Sequence, residues 1–255
     1  MLGNDVTLPA SALTLMLRVQ QLTEEPHPTL AGAPMWTSTD EDHNANRQMW
    51  SIFERLGLVD RRGQLDGGAF RTLAILARPS VEYYAWLYHH GRQRELHAAV
   101  LVAALGDEIA VAYRDEDTDM VELSSLRHES LPETLVRQLP QVPPARIDAL
   151  NLRRSDLAAS DDTSDLFWQP GDSHTADPGK LRSLAEQSLI GTGELYVCVH
   201  DHAGRPSRTT EPIVYRDTRA GRAIIVCSAE HISIAPATPA LLADRLRAAQ
   251  HQLGH

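Results

Sequence analysis

The apolar residues of this chain change period at Pro79, and that switch limits what the chain can fold into. Before the proline they recur at helical spacing, as Met49, Ile52, Phe53 and Leu56 and then as Phe70, Leu73, Leu76 and Ala77. Beyond it they alternate through Val81–His90, Glu95–Leu105, Glu108–Tyr113 and Met120–Leu126, broken by Gly91, Gly106 and the acidic stretch Arg114–Asp119. A period of two sends successive side chains to opposite faces of a sheet, whereas 3.6 gathers every third and fourth onto one helix face. Helices followed by a run of closely spaced strands specify an α+β chain.

The first helices are set off by their breakers. Ala45–Leu56 closes at Gly57, and Gly67–Ala77 stops before Pro79. The apolar run Pro9–Gln21 reads as a short buried helix, with a strand as the alternative, and residues 23–44 have the composition of a loop.

After the four strands a helix is expected over Pro132–Leu139, ended by Pro140, Pro143 and Pro144. The acidic segment 155–179 is rich in Asp, Ser, Pro and Gly and reads as a mobile link, because so long a loop is uncommon inside a compact domain. The order then begins again. A helix over Pro178–Leu189 leads to strands Glu194–His200, Pro212–Arg216, Arg222–Cys227 and His231–Ala235. Pro239–Leu253 closes the chain as an amphipathic helix with Leu242, Leu246 and Ala249 on one stripe.

Tyr84–Ala–Trp–Leu–Tyr–His–His–Gly91 runs parallel to Tyr196–Val–Cys–Val–His–Asp–His–Ala–Gly204, and Gly106–Asp–Glu–Ile–Ala–Val to Gly221–Arg–Ala–Ile–Ile–Val226. The repeat is one of pattern, with little residue identity. It implies a quasi-two-fold molecule within a single domain. The sheet parts of half 8–140 and half 178–253 would meet centrally, flanked by helices.

Composition excludes several functions. A formal charge of −10 and the absence of any basic block argue against nucleic acid, whose binding needs clustered cations, and against an anionic membrane surface. No run approaches the ~20 apolar residues of a membrane span, and residues 1–10 lack the basic start and apolar core of a signal peptide, so a cytoplasmic location is expected. Two cysteines, Cys198 and Cys227, make no disulfide framework. Aromatics are only 5% of the chain, so aliphatic and alanine packing must carry the core.

No catalytic signature emerges. The only lysine, Lys180, follows Asp177–Pro–Gly179 and belongs to no phosphate-binding loop. Gly191–Thr–Gly193 precedes a strand, where a dinucleotide-binding loop would follow one, so it reads as a tight turn leading into Glu194–His200. Among twelve histidines, His89–His90 with His97 and His200 with His202 are the candidate metal groups, but no H-E-x-x-H or C-x-x-C accompanies them and no metal site is assigned. Cys198 beside His200 and Asp201 suggests a thiol nucleophile, yet a mid-strand cysteine is ordinarily a small buried apolar group. The acidic runs at 39–42 and 115–119 lack the ligand spacing of a calcium loop and read as solvated loop caps.

Three blocks remain. The first is Leu56–Gly–Leu–Val–Asp60, Gly63 and Leu73–Ala–Ile–Leu–Ala–Arg–Pro79. The second is Arg205, Arg208 and Glu211–Pro–Ile–Val–Tyr–Arg–Asp217. The third is Gly221–Arg222, a strand, Ile232–Ser–Ile–Ala–Pro–Ala237 and a leucine-bearing helix. In this order and spacing the chain resembles the EspG family of type VII (ESX) secretion chaperones, from about Leu8 to Leu253. The resemblance implies a central antiparallel sheet with quasi-two-fold halves and flanking helical bundles. It also implies a cytosolic, non-catalytic chaperone that needs no cofactor and shields the apolar tip of a PE–PPE heterodimer or another ESX-exported helical protein. By position in that family, Tyr196, Cys198 and His200 on one strand and Leu242 and Leu246 on the last helix are the partner-binding candidates. The ordinary reading of the two leucines is core. A non-catalytic adaptor of the secretion machinery and a hydrolase with a dispersed active site are the competing readings. No oligomeric state follows from the sequence.

Overall fold

A computed structural model describes residues 2–31, 39–91, 94–153, 156–157, 170–171, 188–227 and 230–254. A short strand β1 (Val6–Pro9) runs directly into helix α1 (Ala10–Val19), followed by α2 (Thr39–Arg55) and α3 (Gly67–Ala77). The strands β2 (Val81–His90), β3 (Glu95–Leu105), β4 (Glu108–Asp115) and β5 (Met120–Arg127) then form a meander that ends in α4 (Leu131–Arg137). Short strands β6 (Leu150–Arg153), β7 (Asp156–Leu157) and β8 (Pro170–Gly171) come next. A second meander is built from β9 (Leu189–His200), β11 (Ile213–Thr218), β12 (Gly221–Cys227) and β13 (His231–Pro236), with β10 (Pro206–Arg208) inserted after β9. Helix α5 (Pro239–Leu253) closes the chain.

Among the described residues, eleven strands form one antiparallel sheet in the order β1-β5-β4-β3-β2-β9-β11-β12-β13-β6, with β10 on the free stretch of β9. The two meanders join through the antiparallel pair β2–β9, where Tyr84 lies opposite Tyr196. The remaining strands, β7 and β8, pair only with each other.

The two faces carry separate cores. On one, α1, α2 and α3 pack through Leu13, Met16, Phe53, Leu73 and Leu76 over Leu101, Ala110, Ala112 and Leu123 of the first meander. On the other, α4 and α5 pack through Leu135, Leu242 and Leu246 over Tyr83, Val100, Val197 and Tyr215, across the junction of the meanders. The many alanines of β3 and β4 hold little volume, which lets helices lie close to the sheet.

Expected and observed elements agree in most places, and the differences have local causes. The run after Pro9 is a helix, not a strand, and its first residues lean on the unforeseen edge strand β1, which pairs with β5. Helix α2 starts at Thr39, inside the stretch read as loop; acidic residues of the kind found there suit the first turn of a helix as well as a loop. Helix α4 ends at Arg137, two residues short of Leu139. The expected helix Pro178–Leu189 lies outside the described residues up to 187, and Leu189 itself is strand. Apart from β7 and β8, the acidic link 155–179 also lies outside them.

Gly191 and Gly193 are not a turn: they sit inside β9. A Cβ at Gly193 would stand 2.6 Å from Cζ of Tyr215, and one at Gly191 would stand 2.6 Å from Nδ1 of His89. Glycine there makes room for a neighbouring ring laid flat on the strand.

Two ion-pair systems fasten the layers. Glu108, 7% exposed, receives hydrogen bonds from Arg71 of α3 and Arg127 of β5, tying the helix to the sheet. The Arg71 bond, then that of Arg127, holds its carboxyl below the usual glutamate range. A carboxylate with a lowered folded-state pKa contributes stability that is present above its unfolded pKa and is lost as pH falls through the folded one. Glu108→Gln is therefore expected to flatten the acid limb of stability below about pH 4.3, read as urea midpoints at a series of pH values. An unchanged acid limb would show that the pair contributes nothing.

The second system is buried outright. Asp217 accepts two hydrogen bonds from Arg222, at 2.7 Å and 2.8 Å. Arg222 also donates to the Pro140 carbonyl at 2.8 Å and lies 4.1 Å over the Tyr215 ring. Tyr215 and Asp217 come from the second sequence block and Arg222 from the third, and the fold brings the two together.

Candidate functional site

Antiparallel pairing of β2 with β9 in this register sets Glu82 beside Cys198, Tyr84 beside Tyr196 and Trp86 beside Glu194, all on the face that carries α1–α3. Tyr84 and Tyr196 stack at 5.2 Å between ring centroids, and Trp86 meets both edge-on, at 5.5 Å from Tyr84 and 5.6 Å from Tyr196. His27, from the connection after α1, meets Tyr84 edge-on at 4.7 Å. Tyr84 is buried, whereas Trp86 and Tyr196 keep part of their rings exposed.

The register carries this surface outward. Trp86, Glu194, Val214 and Ile225 lie in one cross-strand row over β2, β9, β11 and β12. Val214 and Ile225 are half-buried and Glu194 is exposed. An aromatic group with an aliphatic extension, parted by one exposed carboxylate, is suited to holding a largely apolar surface, not to a bond-making step.

Beside the aromatic group lies a polar cluster. Nε2 of His200 stands 3.3 Å from Oε1 of Glu82 and 3.7 Å from Sγ of Cys198, and Nε2 of His27 stands 3.9 Å from the same glutamate oxygen. Burial first, and Glu82 second, push the Cys198 thiol up to about 12. It stays protonated at neutral pH, the opposite of what a nucleophile requires. Asp201 does not complete a triad, since its Oδ1 accepts the backbone N–H groups of Ala203 and Arg205, both at 2.8 Å. Burial lowers the pKa of His27, with Glu82 opposing. Tyr196 is pushed up to about 12 by burial and by its hydrogen bond to Glu194.

Of the partner-binding candidates, Tyr196, Cys198 and His200 do share one face, as their spacing implies. Tyr196 and His200 reach the surface, while Cys198 is 2% exposed and packs in the core beneath α1–α3. Leu242 and Leu246 lie on the opposite face at 1% and 0% exposure, enclosed by α4 and the sheet, so their ordinary reading as core describes them. His202 sits in the turn after β9, and His89 faces Asp217 at 3.7 Å. The acidic turn at 115–119 is a cap: Oδ1 of Asp115 accepts the N–H groups of Asp117 and Thr118.

Sequence reading missed Glu82, Tyr84, Trp86 and His27 as parts of the site. The alternation Glu82, Tyr84, Trp86 was visible as one strand face. Its meeting with Tyr196 was not, because pairing between strands about a hundred residues apart leaves no local trace.

The sequence model of the EspG family matches residues 9–248. The type VII secretion system chaperone EspG5 of Mycobacterium tuberculosis, solved in complex with a PE25–PPE41 dimer, has the same fold, with a TM-score of 0.67 over 98% of this chain and 97% of that chain. Identity between the two is 13%, so it is the fold that the likeness carries. No curated protein sequence matches this chain. With the family model matched from α1 into α5 and the architecture shared end to end, this chain belongs to the EspG family.

Proposed function

We propose that this chain is a cytosolic, non-catalytic chaperone of type VII (ESX) secretion, which covers the apolar tip of a PE–PPE pair or a similar exported helical protein. Family membership supports the class, and the EspG5 structure shows a protein of this fold holding such a dimer. Within this chain, the observation that carries the reading is the half-buried apolar surface of Trp86, Tyr196, Val214 and Ile225, which crosses the sheet centre around the exposed Glu194. No helix among the described residues is long and apolar enough to cross a membrane.

In this reading Tyr196 and His200 contact the partner together with Trp86. Cys198, Leu242 and Leu246 hold the strand and the last helix in place from beneath. The quasi-two-fold repeat belongs to the same proposal, with halves 8–140 and 178–253 around the linking segment 155–179. It is supported by the strand order, in which each meander runs outward from β2–β9, and by Tyr84 and Tyr196, aligned in the repeat and opposite each other in the sheet.

The test is co-expression with a PE–PPE pair encoded at the same locus, read by size exclusion. A stoichiometric soluble complex is expected, with the pair insoluble when made alone. Trp86→Ala and Tyr196→Ala should each weaken it by about 2 kcal/mol, or roughly thirtyfold, as central aromatic anchors do, with the far-ultraviolet dichroism unchanged. Exported pairs that elute separately and are equally soluble alone would refute the chaperone reading and favour an adaptor that binds the secretion machinery.

A further inference from the structure

The cluster beside the aromatic group has the composition and spacing of a metal site. We propose that Glu82, Cys198 and His200, completed by His27, bind one zinc-class divalent ion. A tetrahedral zinc holds sulfur at about 2.3 Å and nitrogen or oxygen at about 2.0 Å, which separates sulfur from nitrogen by about 3.6 Å and nitrogen from oxygen by about 3.3 Å. The corresponding distances are 3.7 Å from Cys198 Sγ to His200 Nε2 and 3.3 Å from His200 Nε2 to Glu82 Oε1. One donor atom from each of these three residues falls within 4.8 Å of the others. His27 Nε2 lies 3.9 Å from the glutamate oxygen but outside the 4.8 Å group, so its ring has to swing inward to take the fourth position.

The supporting contact at His200 points the same way. Nδ1 of His200 faces the Gly204 carbonyl at 3.5 Å, and Nδ1 of His27 faces the Thr29 hydroxyl at 2.7 Å. The Gly204 carbonyl can accept the Nδ1 proton of His200, which leaves its Nε2 lone pair directed into the cluster. That is how metal-bound histidines are held. At His27 the Thr29 N–H also points at Nδ1, at 3.3 Å, and has to give way to the hydroxyl before Nε2 can bind a metal. Glu82 and Cys198 are buried, at 6% and 2% exposure, while His27 and His200 keep 14% and 19% of their side chains open and provide the entry path.

Charge also balances. A thiolate, a carboxylate, two neutral imidazoles and a divalent cation sum to zero, with the thiol proton released to solvent as the metal binds. Arg208, the neighbouring cation, is exposed, and its charge acts on Tyr84 as well as on Cys198. Mixed sulfur and nitrogen donors select zinc over magnesium or calcium, which prefer all-oxygen cages. A bound ion would join β2 and β9, the strands where the meanders meet, to the connection after α1.

Cobalt titration of the full chain, stripped with chelator, tests this. One equivalent of Co2+ should produce a sulfur-to-cobalt charge-transfer band together with intense four-coordinate visible bands, and Zn2+ should bleach both. Cys198→Ser and His200→Ala should each remove the charge-transfer band or lower the affinity beyond detection, and His27→Ala should weaken binding about tenfold or more. Cys227→Ser should keep the spectrum. If Cys198→Ser does not fold, the His200 and His27 variants, at side chains that are only partly buried, carry the test. A weak octahedral spectrum without the thiolate band would overturn the site, as would a band lost with Cys227→Ser or retained in His200→Ala. Unchanged affinity in His27→Ala would remove that residue from it.

Discussion

Asp217→Ala is expected to lower the free energy of unfolding by about 3–5 kcal/mol, the loss typical when one member of a buried ion pair is deleted. Asp217 is 0% exposed and its two oxygens engage Arg222 in a fork, so its removal strands a guanidinium that is itself 4% exposed. The Pro140 carbonyl and the Tyr215 face, which also touch that guanidinium, carry no compensating charge. Removing both charges should cost much less, because the large term is the unpaired ion and not the lost bond. Urea unfolding of Asp217→Ala and of the double variant Asp217→Leu with Arg222→Met checks this, the double being the more stable of the two. A loss below about 1 kcal/mol for Asp217→Ala would mean that water reaches the pair and that it behaves as a surface one.

Gly193→Val should be nearly as damaging, at about 3 kcal/mol or more, the upper range for overpacking a closed core. The new side chain would drive into the ring of Tyr215, which lies opposite on β11, is 0% exposed and also carries Arg222 over its ring. No rotamer avoids the contact, because the Cβ itself already overlaps the ring. The diagnostic is a double-mutant cycle. In a Tyr215→Ala background the cost of Gly193→Val should fall by at least about 1 kcal/mol, since neighbours that share one space are not additive. Equal costs in both backgrounds would show that the glycine serves the backbone of β9 and not the ring.

The metal site and the partner surface share β2 and β9, so their tests have to be read apart. Cobalt spectra report on Glu82, Cys198 and His27, co-purification reports on Trp86 and Tyr196, and His200, which enters both, separates nothing. A chain that binds cobalt but no exported partner would keep the first proposal and lose the second.

The sequence by itself determined the local order of this protein. The shift from a 3.6-residue to a two-residue period at Pro79 marks where helices yield to strands, and its return marks β9 and β11–β13. Leucines on the stripe of the last helix were legible as core for the same reason. So was the absence of a catalytic signature, since Cys198 reads as a buried mid-strand thiol. These are properties of neighbours in the chain, where one residue's direction fixes the next. Only the tertiary structure decided what crosses between distant segments. The pairing of Asp217 with Arg222 joins adjacent strands, but its burial depends on the Pro140 loop and the α4–α5 layer. Gly193 reads as turn chemistry until Tyr215 is laid over it, because a glycine gives the same signal whether it bends a chain or admits a ring. Glu82, Tyr84 and Trp86 became parts of a site only when the β2–β9 register set them beside Cys198 and Tyr196, with His27 arriving from the connection after α1. A register is chosen by the packing of whole faces, and no short stretch of sequence contains that choice.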